Sequence, residues 1–439
     1  MRISRQKNRA ARISAALISL LVLVSLCACD VKDSSEPSIE PGTREKTVFV
    51  ATDLHLFSNN LISPDNSVYL KDRFTSDGRI QEYDYELIGA LIEEVNAKKP
   101  EFLILTGDLT FNGELDSHLE LSRLLSAVQD TKVLVIPGNH DIYSPDAVSA
   151  LNDSTQPTES ISAEQFRGIY ANYGYTNAYS YDETTLSYIF ELDEDKWALM
   201  LDTSLSRYNE SYGGSITAGA LEESTLNWLE ENLAYAQENG ISVISFTHHN
   251  LLAHNDLFVA SYTLQNSAQL TELYAKYGVS LNFSGHLHIQ SIKKATMDEG
   301  AVYDVSGGSI LDYGNRYGVL DIYDNCYKYT SHKIGKTPSG EDISQYSFDV
   351  FCKEYYAKTL WSYQSSLGED KGAQAVKLLS EINAYYFDGS YKEINKLVKQ
   401  NRSLIKLIKE NTFNYESSYV SSIIEVDDKN QHSLIIERK

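Results

Sequence analysis

Cysteine is scarce in this chain: of 439 residues four are Cys, with Cys27 and Cys29 near the N-terminus and Cys326 and Cys352 in all the rest. The last two could pair in an oxidising setting, tying the final strands to the C-terminal helices, or stay as free buried thiols. Basic residues are also in deficit, 38 Lys and Arg against 61 Asp and Glu. Nucleic-acid binding rests on neutralising phosphates with Lys and Arg, so no nucleic-acid polymer is expected as a ligand. Nor does the sequence mark a protein partner. After Leu26 no apolar run approaches the length of a membrane span. There is no internal repeat, glycine-rich phosphate loop or nucleophile elbow, and Gly307-Gly308 reads as a turn and only weakly as a phosphate cradle.

The first residues carry Arg2, Arg5, Lys7, Arg9 and Arg12, then the apolar run Ile13 to Leu26, which has the charge and length of a secretory leader. The run ends in Leu26-Cys27-Ala28-Cys29, which resembles the lipobox of bacterial lipoproteins. That resemblance implies a signal peptide over residues 1–28 and a lipidated Cys29 holding the protein at the extracytoplasmic face of the cell membrane. Residues 29–46, rich in Ser, Pro, Asp and Glu, read as a solvated tether. Loss of residues 1–28 removes five basic and no acidic side chains, taking the formal charge from −23 to −28.

From Thr47 to Asp141 apolar runs (Thr47 to Ala51, Phe102 to Leu105, Val133 to Ile136) alternate with amphipathic stretches, a repeated βαβ pattern. It resumes with runs at Trp197 to Leu201, Ile241 to Phe246 and Val279 to Phe283, followed by a ladder of short strand-like runs to His332. An α/β domain over residues 47–335, two sheets with outer helices, is the expectation. Beyond a linker at Gly335 to Gly340 the period turns helical, predicting a helical subdomain over 344–411. Residues 412–439 read as strands or a tail.

Four apolar runs end in Asp53-Leu54-His55, Gly107-Asp108, Gly138-Asn139-His140-Asp141 and Gly285-His286-Leu287-His288. With Thr247-His248-His249-Asn250 these segments hold six of the ten histidines. Each follows the carboxyl end of a strand, where open α/β sheets place ligands. Imidazole and carboxylate without thiolate suit Mn, Fe or Zn.

The order D-x-H, GD, GNHD, H and GHxH resembles the calcineurin-like metallophosphoesterase superfamily over about Thr47 to His332. The resemblance implies a four-layer αββα sandwich and two divalent metal ions. Metal one would be held by Asp53, His55, Asp108 and His288, and metal two by Asp108, Asn139, His248 and His286, with Asp108 shared. Of the adjacent histidines it places the ligand at His248, with His249 pointing elsewhere. His140 would protonate the leaving oxygen, Asp141 would orient its imidazole and raise its pKa, and a hydroxide bridging the metals would attack phosphorus. Purple acid phosphatases carry Tyr three residues after the bridging aspartate; Phe111 stands there in this chain, so no iron–tyrosinate colour is expected.

Phe74-Thr75-Ser76-Asp77-Gly78, the stretch Gly107 to Glu114 and the helical extension are similar to secreted bacterial class III cyclic-nucleotide phosphodiesterase-like proteins, in which the helices cap the site. A membrane-tethered extracellular phosphodiesterase acting on small phosphodiesters, 3',5'-cyclic nucleotides included, is therefore expected. The alternatives are a phosphomonoesterase or nucleotidase on the same site, and a non-catalytic lipoprotein that binds a phosphorylated ligand. The mark of the last would be lost ligands, and all seven positions are present. Asn112, Glu114 and His118 could reach the site rim or serve as caps and exposed helix faces. Tyr355, Tyr356, Tyr363, Tyr385, Tyr386 and Tyr391 could stack on a base or pack helices, and His254, His332 and His432 read as structural.

Overall fold

The computed structural model describes residues 39–63, 78–151, 154–412, 415–425 and 430–438. The leader, Cys29, most of the tether and Phe74-Thr75-Ser76-Asp77 lie outside the described residues. The chain divides into an N-terminal unit, Met1–Glu40, and a second, Pro41–Lys439, to which everything below belongs.

The strands are β1 (Arg44–Ala51), β2 (Phe102–Thr106), β3 (Lys132–Ile136), β4 (Val148–Ser149), β5 (Gln156–Pro157), β6 (Ser180–Tyr181), β7 (Tyr188–Asp193) and β8 (Lys196–Leu201). They continue with β9 (Ser242–Thr247), β10 (Leu281–Ser284), β11 (Ser291–Thr296), β12 (Ala301–Ser306), β13 (Arg316–Tyr323), β14 (Cys326–Lys333) and β15 (Ser433–Glu437). One sheet runs β15-β14-β13-β1-β2-β3 and the other β11-β12-β10-β9-β8-β7-β6, with β4 and β5 a separate pair. β1, β2 and β3 are parallel, as are β8, β9, β10 and β12.

Alternation along each strand builds the layers. On β1, Val48 and Val50 join Phe102, Ile104, Phe246 and Phe283 in the core between the sheets. Phe49 and Ala51 point the other way, onto Leu87, Leu91 and Val95 of helix Asp84–Lys98. Those helical residues recur every four positions, so one stripe faces the sheet. On the far sheet Leu199 and Leu201 pack against Leu229 and Leu233 of helix Glu223–Glu238 and Leu270 and Tyr274 of helix Ser267–Tyr277. Full burial of such side chains contributes roughly 1.5–3 kcal/mol each, which explains why the parallel strands are apolar on both faces.

The helical extension comprises Ser344–Leu367, Glu369–Phe387, Tyr391–Gln400, Arg402–Asn411 and Tyr415–Ile424. Its core includes Val376, Leu379, Ile382, Ile394 and Ile408, and it encloses Leu287 and Ile289 from the loop after β10. The expectation of strands or a tail across 412–439 needs correction. Tyr415–Ile424 is helical, and Val420, Ile423 and Ile424 are buried in the extension's core. Only Ser433–Glu437 is a strand, and it returns to the first sheet beside β14. Cys326 and Cys352 do not pair; both are free thiols, and burial pushes Cys352 up to about 12.

Candidate metal centre

Strands of both sheets end at one place. Asp53 and His55 follow β1, Asp108 follows β2, Asn139 and His140 follow β3, His248 follows β9, and His286 and His288 follow β10. The strand-end loops are pinned together through their main chains: Asp53 N–H donates to Gly107 O (3.1 Å), His55 N–H to Asp108 O (2.9 Å) and Gly285 N–H to His248 O (2.9 Å). Asp53, His55, Asp108, His286 and His288 all have φ between 42° and 67°. Left-handed backbone in a non-glycine residue costs roughly 1 kcal/mol or more, and such strain persists at sites that need a side chain aimed one way. Close approach also requires Gly138, where a Cβ would lie 2.2 Å from Asp108 Oδ1.

Asp53, His55, Asp108 and His288 each offer a ligand atom within 4.8 Å of one another, and so do Asp108, His248 and His286. Asp108 belongs to both groups, as a shared ligand would. Asn139 Oδ1 completes the second group, 3.1 Å from His248 Nε2. The outward ring nitrogens are fixed by partners: His248 Nδ1–H donates to Thr106 O (3.0 Å), and His286 Nε2–H donates to Ser261 O (3.0 Å). His288 Nδ1 lies 2.6 Å from Asp312 Oδ2. A carboxylate on the far nitrogen orients a ligating imidazole and raises its basicity. His249 points elsewhere, with Nδ1 on Thr203 Oγ1 (2.8 Å) and Nε2 on Thr217 O (3.0 Å).

The donor set fits divalent cations. His55 Nε2 and His288 Nε2 face each other at 3.3 Å, and His288 Nε2 is 3.2 Å from Asp53 Oδ1, all of them buried or nearly so. Burial works to raise the Asp53 and Asp108 carboxyls, yet His288 beside the first and His248 beside the second hold both below the usual carboxylate range. Conversely, against burial, Asp53 and Asp312 lift His288 to about 10, and Asp108 lifts His248 to about 9. Burial and His248 push His286 down to about 3, and burial and Arg79 push His55 down. Two carboxylates among four imidazoles are thus balanced by protons that cations would displace.

His140 stands at the edge of this cluster, its Nε2 4.0 Å from Asp108 Oδ2. Asp141 does not orient it. The Asp141 carboxylate is committed to the main chain, accepting from Leu109 N (3.1 Å), Thr110 N (2.9 Å) and Gly138 N (2.8 Å), and from Thr110 Oγ1 (2.8 Å). It locks the second motif loop to the third. The His140 imidazole is instead held at Nδ1 by Phe111 O (2.9 Å) and Asn112 Oδ1 (2.8 Å). His118 is neither rim nor exposed helix face; it is buried, with Nε2 on Asp141 O (2.8 Å) and Nδ1 on Tyr170 Oη (2.9 Å).

The cluster floors a cleft of 320 Å³ whose walls include Arg79, Tyr262, Phe258, Lys358, Phe387 and Tyr419. None of these was singled out from the sequence, and neither was Asp312. The tyrosines that were singled out do not line it; Tyr363, Tyr386 and Tyr391 are buried in helix packing. His254 pairs with buried Asp304 (3.2 Å), apart from the cleft.

Comparison with known proteins agrees with this geometry. The calcineurin-like phosphoesterase family matches residues 46–290, more than half of the chain. A protein of Moraxella catarrhalis (strain BBH18) described as a probable cyclic nucleotide phosphodiesterase is 23% identical over 226 residues, 51% of this chain and 71% of its own. Among solved structures, a dimetal phosphatase from Danio rerio is similar over 66% of this chain and 96% of its own (12% identity, TM-score 0.44). A putative 5'-nucleotidase from Staphylococcus aureus is similar over 63% and 50% (13% identity, TM-score 0.35). The two strand-end metal groups and the match over residues 46–290, which takes in β1 to β10, make this chain a member of the calcineurin-like phosphoesterase family, a metal-dependent phosphoesterase with two divalent ions.

Proposed function

We propose that the protein hydrolyses small phosphodiesters, 3',5'-cyclic nucleotides among them, while held by an acylated Cys29 at the outer face of the cell membrane. The observation that carries the diester reading is His140. A 3',5'-cyclic nucleotide releases an alkoxide, which needs a proton as the bond to phosphorus breaks far more than a phenyl monoester does. His140 keeps Nδ1 on two acceptor oxygens and leaves Nε2 on the cleft side, beside Asp108. Divalent ions on the two Asp/His groups would polarise the phosphoryl oxygens and draw the attacking oxygen from water at neutral pH. The chain's own part is to fix those groups in advance, to hold the acid at their edge, and to enclose the substrate between the sandwich and the extension. The described relative from Moraxella catarrhalis carries a phosphodiesterase description, which supports the reading.

The runner-up is a phosphomonoesterase or nucleotidase. Arg79 and Lys358 on the cleft walls favour it, since a monoester dianion gains more from cations than a diester monoanion. Mature protein loaded with Mn, Fe(II) or Zn should hydrolyse bis-p-nitrophenyl phosphate with a kcat/KM at least about tenfold above that for p-nitrophenyl phosphate, a margin of about 1.4 kcal/mol. The opposite ratio establishes the monoesterase. Asp108→Ala should abolish turnover and lower the metal content, because Asp108 stands in both groups; two retained ions with full turnover would sink the dinuclear site.

A further inference from the structure

We infer that Asn112 is the positioning residue of the acid His140, a part that the family resemblance assigned to Asp141. The inference rests on the phosphodiesterase reading for its chemistry and on the geometry alone for its placement. Phe111 O can only accept, so the Nδ1 atom 2.9 Å from it carries the hydrogen, and the second atom facing that hydrogen, Asn112 Oδ1 at 2.8 Å, also accepts. One N–H shared between two neutral oxygens fixes both the tautomer and the ring plane. Nε2 is then the nitrogen left on the cleft side; as an acid the ring acts as the imidazolium, giving up the Nε2 proton and keeping the Nδ1 hydrogen on its two acceptors.

Asn112 is itself held. Its N–H donates to Glu114 Oε2 (3.0 Å), and Gly113 N–H donates to Thr110 Oγ1 (3.1 Å), whose hydroxyl reaches Asp141 Oδ1 (2.8 Å). Gly113 has φ +73°, and a Cβ there would meet Asp141 O at 2.8 Å and His140 O at 2.9 Å. The turn Thr110 to Glu114 therefore lies directly against the His140 loop, with no room for a larger residue between them. The backbone of Asn112 is fixed by the turn itself, which sets where its side chain starts toward the imidazole. A neutral amide also adds no charge beside the two metal groups. Asp141, which accepts three main-chain N–H groups and the Thr110 hydroxyl, has both oxygens engaged away from the ring.

The test compares leaving groups. Asn112→Ala should lower kcat on 3',5'-cyclic AMP, which releases an alkoxide, by about 10–100-fold. On bis-p-nitrophenyl phosphate, whose phenolate leaves unaided, the loss should stay under about threefold, with KM little changed on either substrate. Asn112→Asp, which keeps the acceptor oxygen, should restore most of the loss, and Asn112→Ala should add nothing to His140→Ala. Independently of turnover, zinc-loaded protein labelled with 15N-histidine should show a His140 Nδ1–H proton that disappears into exchange in Asn112→Ala and returns in Asn112→Asp. Equal losses on both substrates, or an unchanged Nδ1–H signal in Asn112→Ala, would overturn the inference. A wild-type protein inert toward every phosphoester would instead remove the functional reading, while the nitrogen spectrum still decides the placement.

Discussion

Glu114 shows how a residue outside the metal groups can make the site depend on pH. Its side chain is fully buried and accepts from Asn112 N–H, and the Glu114 and Val148 main chains also act on its carboxyl. Burial outweighs those main-chain bonds and pushes its pKa from 4.5 up to about 7. A carboxyl with a raised folded-state pKa stabilises the fold fully below its unfolded value, and that contribution is lost as pH rises through the folded value. Glu114→Gln removes the titration and keeps the shape. The melting temperature of Glu114→Gln relative to wild type should therefore climb between about pH 5 and pH 8. A difference that stays flat across that range would mean that Glu114 is ionised in the fold throughout.

At the scale of elements, the strand ends were legible because each ligand motif is local: an apolar run sets a strand, and the next two to five residues carry the donors. The seven proposed ligand positions and His140 follow such runs, with their roles implied by the family resemblance, and the structure gathers their side chains into one cluster. What sequence could not show arrives through packing. Asp312 meets His288 from beyond β12, and Lys358 and Tyr419 come from helices that follow the sandwich. Asn112 was visible as a residue beside a motif, but its partner was not, because the contact crosses two loops. Residues 412–439 read as strands or a tail, yet Val420, Ile423 and Ile424 meet a helical core at helical spacing, and packing overrides propensity there.

The same element supplies a prediction about specificity. Because β15 returns to the first sheet and the extension encloses Leu287 and Ile289, deleting the extension would strip an edge strand and uncover the loop that carries His286 and His288. Point changes on the cleft wall are the sounder probe. Tyr419→Ala and Lys358→Ala should each lower kcat/KM on cyclic AMP by roughly tenfold, in line with the ~1–3 kcal/mol of base–aromatic stacking and with the loss of a cation near the phosphate. On methyl p-nitrophenyl phosphate, which has no base to stack, the Tyr419→Ala change should stay within about threefold. A thermal melt checks that the extension remains folded. Equal effects of Tyr419→Ala on both substrates would make that wall structural.

For the whole molecule, the decisive contrast is between an acidic body and the basic, apolar start of the chain. With a formal charge of −28 after loss of residues 1–28, the body has little electrostatic reason to approach an anionic lipid surface. Among the described residues no helix is long and apolar enough to cross a membrane. In the proposed reading membrane association rests on the acyl groups of Cys29, and those do not depend on the fold of the sandwich or on its metals. Replacing Cys29 by Ser in the cell should move the protein from the membrane pellet to the soluble fraction with its specific activity per metal-loaded site unchanged. A Cys29→Ser protein that still sediments with membranes after a detergent-free wash would show that something other than the lipobox holds it. Loss of activity on release would instead tie catalysis to the membrane surface, which nothing in the geometry of the cleft requires.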